Sequence, residues 1–260
     1  MKLSIVIPAC NEERRIGKTL EEYGKFFKNL KKEKKLDSEI LIVINNTDDK
    51  TEEIVKKYQR KYKTIKYLKF KQGGKGFAII EGFKESVRNK SDLIGFVDAD
   101  MSTSPLAFYD LIEKIGSYDG VIASRYLRGA IVTPKQPLAR ILVSRLGNFI
   151  IRSLFMMNYR DTQCGAKLFT DDAVKKVLPK LGLTQWAFDV DLLYKLKKEK
   201  RKIKEIPTNW QDDINSGLDL KRASLQVIIS IIRLRIINSR FSRLQNIFTP
   251  LNSKIWGSLK

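Results

Sequence analysis

The chain contains no histidine in 260 residues. Any proton transfer it performs falls to a carboxylate, lysine or tyrosine, unless its nucleophile needs no base. Cysteine is nearly absent too. Cys10 and Cys164 stand far apart and outside any C-x-x-C pair, which argues for a reducing compartment and against a zinc site. No run approaches the ~20 apolar residues needed to span a bilayer. The opening MKLSIVIPAC is too short an apolar run for a signal peptide and is expected to be a first strand. Internal repeats and low-complexity linkers are missing as well. Acidic residues are scarce, 29 against 50 lysines and arginines, for a formal net charge of +21. Such a chain attracts polyanions, whether nucleic acid, anionic lipid or phosphorylated substrates. Runs such as KNLKKEKK equally read as solvated helix faces.

What is present suffices for a sizeable core. With 43% hydrophobic residues, the length suits one large α/β domain, or one with an appendage. KLSIVIPA, EILIVINN, IKYLKF and LIGFVDAD read as strands, short and rich in β-branched residues. EERRIGKTLEEYGKFFKNLKK, KTEEIVKKYQRKY and KGFAIIEGFKESVRN carry apolar residues at helical spacing. Strict alternation predicts a mostly parallel, doubly wound sheet. Right-handed crossovers then bring PACNEE, NNTDDKT, KQGGKG and DADMST to one edge, where open α/β sheets bind ligands. Further on, DGVIASRYLRGA holds another strand, PLARILVSRLGNFIIRSLF and AFDVDLLYKLKKEK read as helices, and IKEIPTNW as a closing strand.

Asp98 and Asp100, in GFVDADMSTSP, follow a buried strand directly. Two chemistries suit that position. The aspartates could cap the following turn or helix, or they could hold a divalent cation together with substrate phosphates. GGKG, with Lys75, is either a turn opening the next helix or a phosphate cradle, and it lacks P-loop spacing. Glu12 could serve as a carboxylate at a helix N-terminus.

Taken together, PACNEERRIG, VINNTDDKT, GGKG and DAD resemble the PxxNE, VDDGSxDxT, GKG and DxD segments of glycosyltransferase family two. ASRY, QPLAR followed by Ser144, DTQCGAKLF and FDVDLL with KEIPTNW resemble its polyprenyl-phosphate branch. The branch members most similar are the dolichyl-phosphate glucosyltransferases, with the dolichyl-phosphate mannose synthases next. The resemblance spans roughly residues 3 to 213. It implies a GT-A α/β domain over residues 1–213; residues 214–260, beyond the resemblance, read as an amphipathic helical tail, a membrane-interface or acceptor-side appendage. It also implies a metal-dependent inverting transfer of a hexose from a nucleotide sugar, UDP-glucose or alternatively GDP-mannose, onto polyprenyl or dolichyl phosphate. Pro8, Ala9, Asn11, Glu12, Asn45, Lys75 and Ala99 would line the nucleotide-sugar site. Asp98 and Asp100 would hold Mg²⁺ or Mn²⁺. Arg125, Arg140 and Ser144 would take the acceptor phosphate, or the arginines would form ion pairs. Asp189 would be either a catalytic carboxylate or an orienting group. The chain departs from VDDGS at Ile44, Asn45 and Asn46. Asparagine both donates and accepts where aspartate only accepts, so the base identity stays open.

The tail segment SLQVIISIIRLRIINSRF presents a narrow polar stripe of Gln226, Ser230 and Arg233. It either packs on the catalytic domain or lies in a membrane interface, with Arg222, Arg233, Arg240 and Arg243 near lipid phosphates. The expected location is therefore cytoplasmic, peripheral on the cytoplasmic face of a membrane. A nucleic-acid-binding protein is the rival of a different class. It lacks a recognised motif, and nucleic acid is not the expected partner.

Overall fold

A computed structural model describes residues 1–33, 35–182, 187–211 and 220–239. The first half alternates as expected. It runs β1 (Lys2–Ala9), α1 (Ile16–Lys32), β2 (Asp37–Asn45), α2 (Thr51–Lys61), β3 (Ile65–Phe70), α3 (Lys75–Arg88) and β4 (Leu93–Phe96). The second half continues with α4 (Pro105–Glu113), β5 (Gly120–Ser124), β6 (Ile131–Thr133), α5 (Leu138–Phe155), β7 (Lys167–Thr170), α6 (Asp171–Val177), α7 (Phe188–Lys198), β8 (Ile203–Pro207) and β9 (Asn209–Gln211).

The main sheet has the order β3-β2-β1-β4-β7-β5-β8. β1 pairs in parallel with β2 and β4, and β2 with β3. Helices cover both faces, so β1, β2 and β4 are almost continuously buried, as central parallel strands are. α1 contributes Ile16, Leu20, Tyr23 and Phe27 from one stripe, all fully buried. β7 departs from the parallel expectation. KLFT is only a short run, yet it inserts antiparallel between β4 and β5. β8 then pairs in parallel with β5, while β6 and β9 form a small separate ribbon.

Two boundaries also differ from expectation. The helix after PACN starts at Ile16 rather than at the glutamates, because the Glu12 carbonyl accepts from Arg15 N and Ile16 N at 3.0 and 2.9 Å. The strand in LIGFVDAD stops at Phe96, which puts both aspartates in a loop. α4 then opens with Ser104 as its cap, the side chain accepting from Ala107 N, and Pro105 in the first turn, a standard helix start.

The chain forms two compact units, residues 1–216 and 217–260. In the second, α8 (Leu220–Ile237) is helical, with Ile231 and Leu234 buried and Ile229 and Ile232 exposed. Arg240 and Arg243, and the side chains of Arg222 and Gln226, lie outside the described residues. Among the described residues no helix is long and apolar enough to cross a membrane.

Phe108 of α4 is fully buried, its ring 6.5 Å from that of Tyr23 on α1. Phe108→Ala is expected to cost ~3–5 kcal/mol through lost burial and the cavity left behind. Urea unfolding should show this as a lower midpoint with an unchanged slope.

Candidate active site

The loops after β1, β2, β3 and β4 meet at one sheet edge and are stitched together there. Asn11, with a left-handed φ of 54°, accepts from Asp48 N at 3.1 Å through Oδ1. Glu12 N donates to Thr51 Oγ1 at 2.8 Å, and Glu13 N donates to Asp49 Oδ2 at 3.0 Å. Asn45 is buried beneath these loops. In the orientation that satisfies its amide, Nδ2 donates to Ala9 O at 3.2 Å and Oδ1 accepts from Gly74 N at 3.0 Å. Its side chain therefore fastens the end of β1 to the glycine turn. Pro8 sits in the β1–β2 pairing opposite Val43. Ala99 is buried, and its carbonyl accepts from Thr19 Oγ1 at 2.7 Å.

The two aspartates of DAD have different surroundings. Asp100 Oδ1 accepts from Ser102 N at 2.9 Å, so one of its oxygens makes the local turn that capping chemistry predicts. Asp98 does no such work. Its Oδ1 lies 2.5 Å from the Lys75 ammonium, and Oδ2 lies where a Cβ on Gly165 would come within 2.0 Å. Only glycine fits there. Gly74, at φ 114°, caps α3 and leads directly into Lys75, a backbone conformation that glycine adopts without strain.

Electrostatics bind this group together. Burial raises the Asp98 pKa, Lys75 opposes that shift, and Asp100 and Asp189 add to it. Burial alone would depress the Lys75 ammonium, but Asp98, Asp189 and Asp100 outweigh it and push its pKa upward. Glu12 is likewise raised by burial, against its pairing with Arg15, with Asp100 and Asp98 contributing. Asp98 thus feels both Asp100 and Asp189, and Glu12 feels Asp98 and Asp100.

Asp189 opens α7 and is nearly buried. It is paired with Lys167, whose ammonium is 2.5 Å from Asp189 Oδ1 and 2.5 Å from Cys164 O. Lys167 is fully buried and lies over the Phe96 ring, 5.2 Å from its centroid. Sequence reasoning did not single out this lysine. A lysine inside the apolar run AKLF was the available signal, since a buried ammonium needs a partner.

Arg125 and Ser144 meet through Tyr126 in a second cluster, and Arg140 lies one helical turn before Ser144 on α5. Arg125 donates to Asp161 through Nε at 2.7 Å and Nη2 at 2.9 Å, and Asp161 also accepts from Arg125 N at 3.0 Å. Burial would raise Asp161, but Arg125 outweighs it and holds the carboxyl below the usual range. The Arg125 guanidinium lies 5.3 Å from the Tyr126 ring centroid and 5.1 Å from that of Trp210. Ser144 Oγ lies 2.5 Å from Tyr126 Oη. Asn148, one helical turn further along α5, accepts from Thr162 N at 3.0 Å and so ties the helix to DTQCG. Asp161, Tyr126 and Trp210 were also missed. Asp161 lies 36 residues from Arg125 and Tyr126 lies 18 from Ser144, separations that no local pattern reveals.

Comparison with known proteins identifies the family and the fold. The model of the family described as Glycosyl transferase family 2 matches residues 4–178. The chain is 34% identical to the dolichyl-phosphate beta-glucosyltransferase of Dictyostelium discoideum over 244 residues, 90% of this chain and 73% of that protein. It is 32% identical to the human dolichyl-phosphate beta-glucosyltransferase over 232 residues, 84% of this chain and 69% of that one. A crystal structure of glucosyl-3-phosphoglycerate synthase from Mycobacterium tuberculosis, in complex with Mn²⁺, UDP and phosphoglyceric acid, matches with a TM-score of 0.68 and 17% identity. That match covers 92% of this chain and 80% of the other, so the two share the GT-A fold that the motifs implied. The chain belongs to glycosyl transferase family 2, and the relatives it matches over most of its length include dolichyl-phosphate beta-glucosyltransferases.

Proposed function

We propose that this chain moves glucose from UDP-glucose onto the phosphate of dolichol or another polyprenol, with inversion at the sugar. The observation that carries the reading is the juxtaposition of Asp98, Asp100 and Lys75, at the ends of parallel strands, with Asp189 at the start of α7. The names of the relatives suggest glucose and dolichyl phosphate, and UDP is the nucleotide in the similar solved structure. An oxygen of the acceptor phosphate would attack the anomeric carbon, and the bond from that carbon to the donor's diphosphate would break, the electron pair leaving with UDP. A phosphate monoester has a second pKa near ~6 and is already anionic at neutral pH. The chain therefore needs no histidine to activate it.

Among the described residues no group of three or more His, Cys, Asp or Glu side chains could hold a metal ion. A cation at Asp98 and Asp100 therefore needs substrate oxygens to complete its shell, the usual arrangement for Mg²⁺. The residues fit that role, since Asp98 already has a cationic group, the Lys75 ammonium, against Oδ1. Asp98 and Asp100 would hold Mg²⁺ or Mn²⁺, whose charge would offset that developing on the leaving diphosphate. Lys75 would turn from Asp98 toward the diphosphate. Asp189, held by Lys167, would face the donor sugar. Pro8, Ala9, Asn11, Glu12 and Ala99 would border the nucleotide, while Asn45, already bonded to Ala9 and Gly74, would shape its pocket from beneath.

Residues 1–213 would form the catalytic domain and 214–260 a membrane-associated tail, peripheral on the cytoplasmic face. Support for membrane contact comes also from α5. Its Leu138, Leu142, Val143, Leu146, Phe149 and Ile150 are all exposed, and Arg128, Lys135 and Arg145 are exposed nearby in sequence. Apolar residues beside basic ones suit an interfacial helix, and each basic residue near anionic lipid adds ~1 kcal/mol.

Asp98→Asn and Asp100→Asn should each nearly abolish transfer from UDP-glucose to dolichyl phosphate while leaving the circular dichroism spectrum intact. Transfer that survives both changes, or an excess of chelator, would remove the metal assignment. A panel of nucleotide sugars in the same assay separates UDP-glucose from GDP-mannose.

The acceptor assignment is best tested at Arg140. Arg125→Ala would strand the buried Asp161 carboxylate, a loss of ~3–5 kcal/mol unrelated to substrate. Arg140→Ala should raise the KM for the lipid phosphate and leave the KM for the nucleotide sugar unchanged. An equal rise in both would move Arg140 to the donor side.

Membrane contact is measured by co-sedimentation with anionic vesicles. Binding should weaken with salt and fall sharply in Leu142→Glu/Phe149→Glu. The pair Ile229→Glu/Ile232→Glu reports the share carried by α8. Full binding by both pairs would place the contact elsewhere.

A further inference from the structure

The chain leaving β8 carries two buried polar atoms, Trp210 Nε1 and Thr208 Oγ1, that have no hydrogen-bond partner among the described residues. Trp210 is 8% exposed and Thr208 4%. Buried polar groups are nearly always paired, so each such exception asks for an explanation. The backbone here is held on both sides. Thr208 N donates to Ser124 O at 3.2 Å, and Ile131 N donates to Thr208 O at 3.1 Å. Residues two apart in an extended run share a face, which puts the two unpaired groups on the same side.

Their surroundings indicate what is missing. Trp210 bridges to Thr103, and Gln211 N donates to Ser102 O at 2.9 Å, so this strand abuts the loop carrying Asp100. On its other flank the Trp210 ring lies against Arg125. Trp210 therefore stands between the two clusters described above. The second cluster is already committed internally. Arg125 bonds Asp161, Ser144 bonds Tyr126, and Arg145 lies 5.7 Å from the Tyr126 ring centroid. An indole N–H only donates, and a threonine hydroxyl also donates. Two such donors, one of them on a ring beside the Arg125 guanidinium, match anionic oxygen.

We propose that Trp210 Nε1 and Thr208 Oγ1 donate hydrogen bonds to oxygens of the acceptor phosphate, completing the site of Arg125, Arg140 and Ser144. The assignment rests on the glycosyltransferase reading above and adds two positions to it. It makes Trp210 the element that registers the incoming phosphate against the donor loop.

The test uses the full chain labelled with ¹⁵N at its three tryptophans. Trp210→Phe keeps a ring against Arg125 and removes one indole signal, which assigns it. In the wild-type protein, saturating citronellyl phosphate should shift that signal, whereas citronellol and Mg²⁺–UDP should leave it in place. Trp210→Phe should raise the acceptor KM about tenfold, the effect of one lost hydrogen bond of ordinary strength, with the donor KM unchanged. Thr208→Val should act in the same direction, and it carries the kinetic test should Trp210→Phe fail to fold. If citronellyl phosphate is glucosylated yet the indole signal does not move, as a resident water would give, the assignment is overturned while the enzyme reading stands. A shift produced by Mg²⁺–UDP instead overturns it too. A wild-type protein that transfers glucose neither to citronellyl phosphate nor to dolichyl phosphate overturns the enzyme reading and this assignment together.

Discussion

Asp98 is wedged between two groups that define the rest of the site. On one side the Gly165 backbone leaves no room for a side chain, and on the other the Lys75 ammonium meets Oδ1. Like charges this close are tolerable only if cations are delivered from other parts of the chain. Lys75 comes from the start of α3, Lys167 from β7 and Arg15 from the turn before α1. Inserting β7 antiparallel beside β4 accomplishes two things at once. It pairs Lys167 with Phe96 across the sheet, and it carries Gly165 back against the aspartate loop. The irregular strand of an otherwise parallel sheet is thus the one that completes the carboxylate cluster.

Much of this was legible in the sequence. Alternation of strands and helices predicted the first four strands and their parallel pairing, which brings their following loops to one edge. That places Asp98, Asp100, Glu12 and Lys75 there, while their suggested roles came from the resemblance. The irregular half was harder to read. KLFT is too short to distinguish from a loop by periodicity, and its pairing direction depends on partners far along the chain. Lys167 looks like any other lysine until its burial is known. Arg125 was recognised as a candidate for phosphate, yet nothing local indicates that Asp161 takes two of its donors. Asn45 was expected to face the base. Burial turns it toward backbone instead, because the glycine turn after β3 has a free amide at Gly74 that needs an acceptor.

α5 illustrates a different limit. Its helical period was readable, but a helix with apolar residues around most of its circumference gives no indication of which side the core takes. The structure buries Asn148, Ile151 and Phe155 and leaves Leu142, Leu146 and Phe149 outward. The reason is local: Asn148 is required by Thr162, and the helix is rotated to meet it. A polar contact to the DTQCG loop thus decides which apolar residues are exposed.

The same loop links the two halves of the chemistry. Asp161 and Thr162 anchor Arg125 and α5, while Cys164 O and Gly165 position Lys167 and Asp98. Cys164 itself is buried, its thiol pushed up to about 12 by loss of solvent, so it contributes packing rather than nucleophilic reactivity. In the proposed transfer, this one short backbone segment would set the separation between the cation offsetting the leaving group's charge and the arginines meeting the acceptor. In a transfer where the nucleophile arrives already charged, alignment of two anions is the main task left to the protein. Spacing fixed by backbone, rather than by long side chains, meets that requirement, and a histidine would add nothing to it.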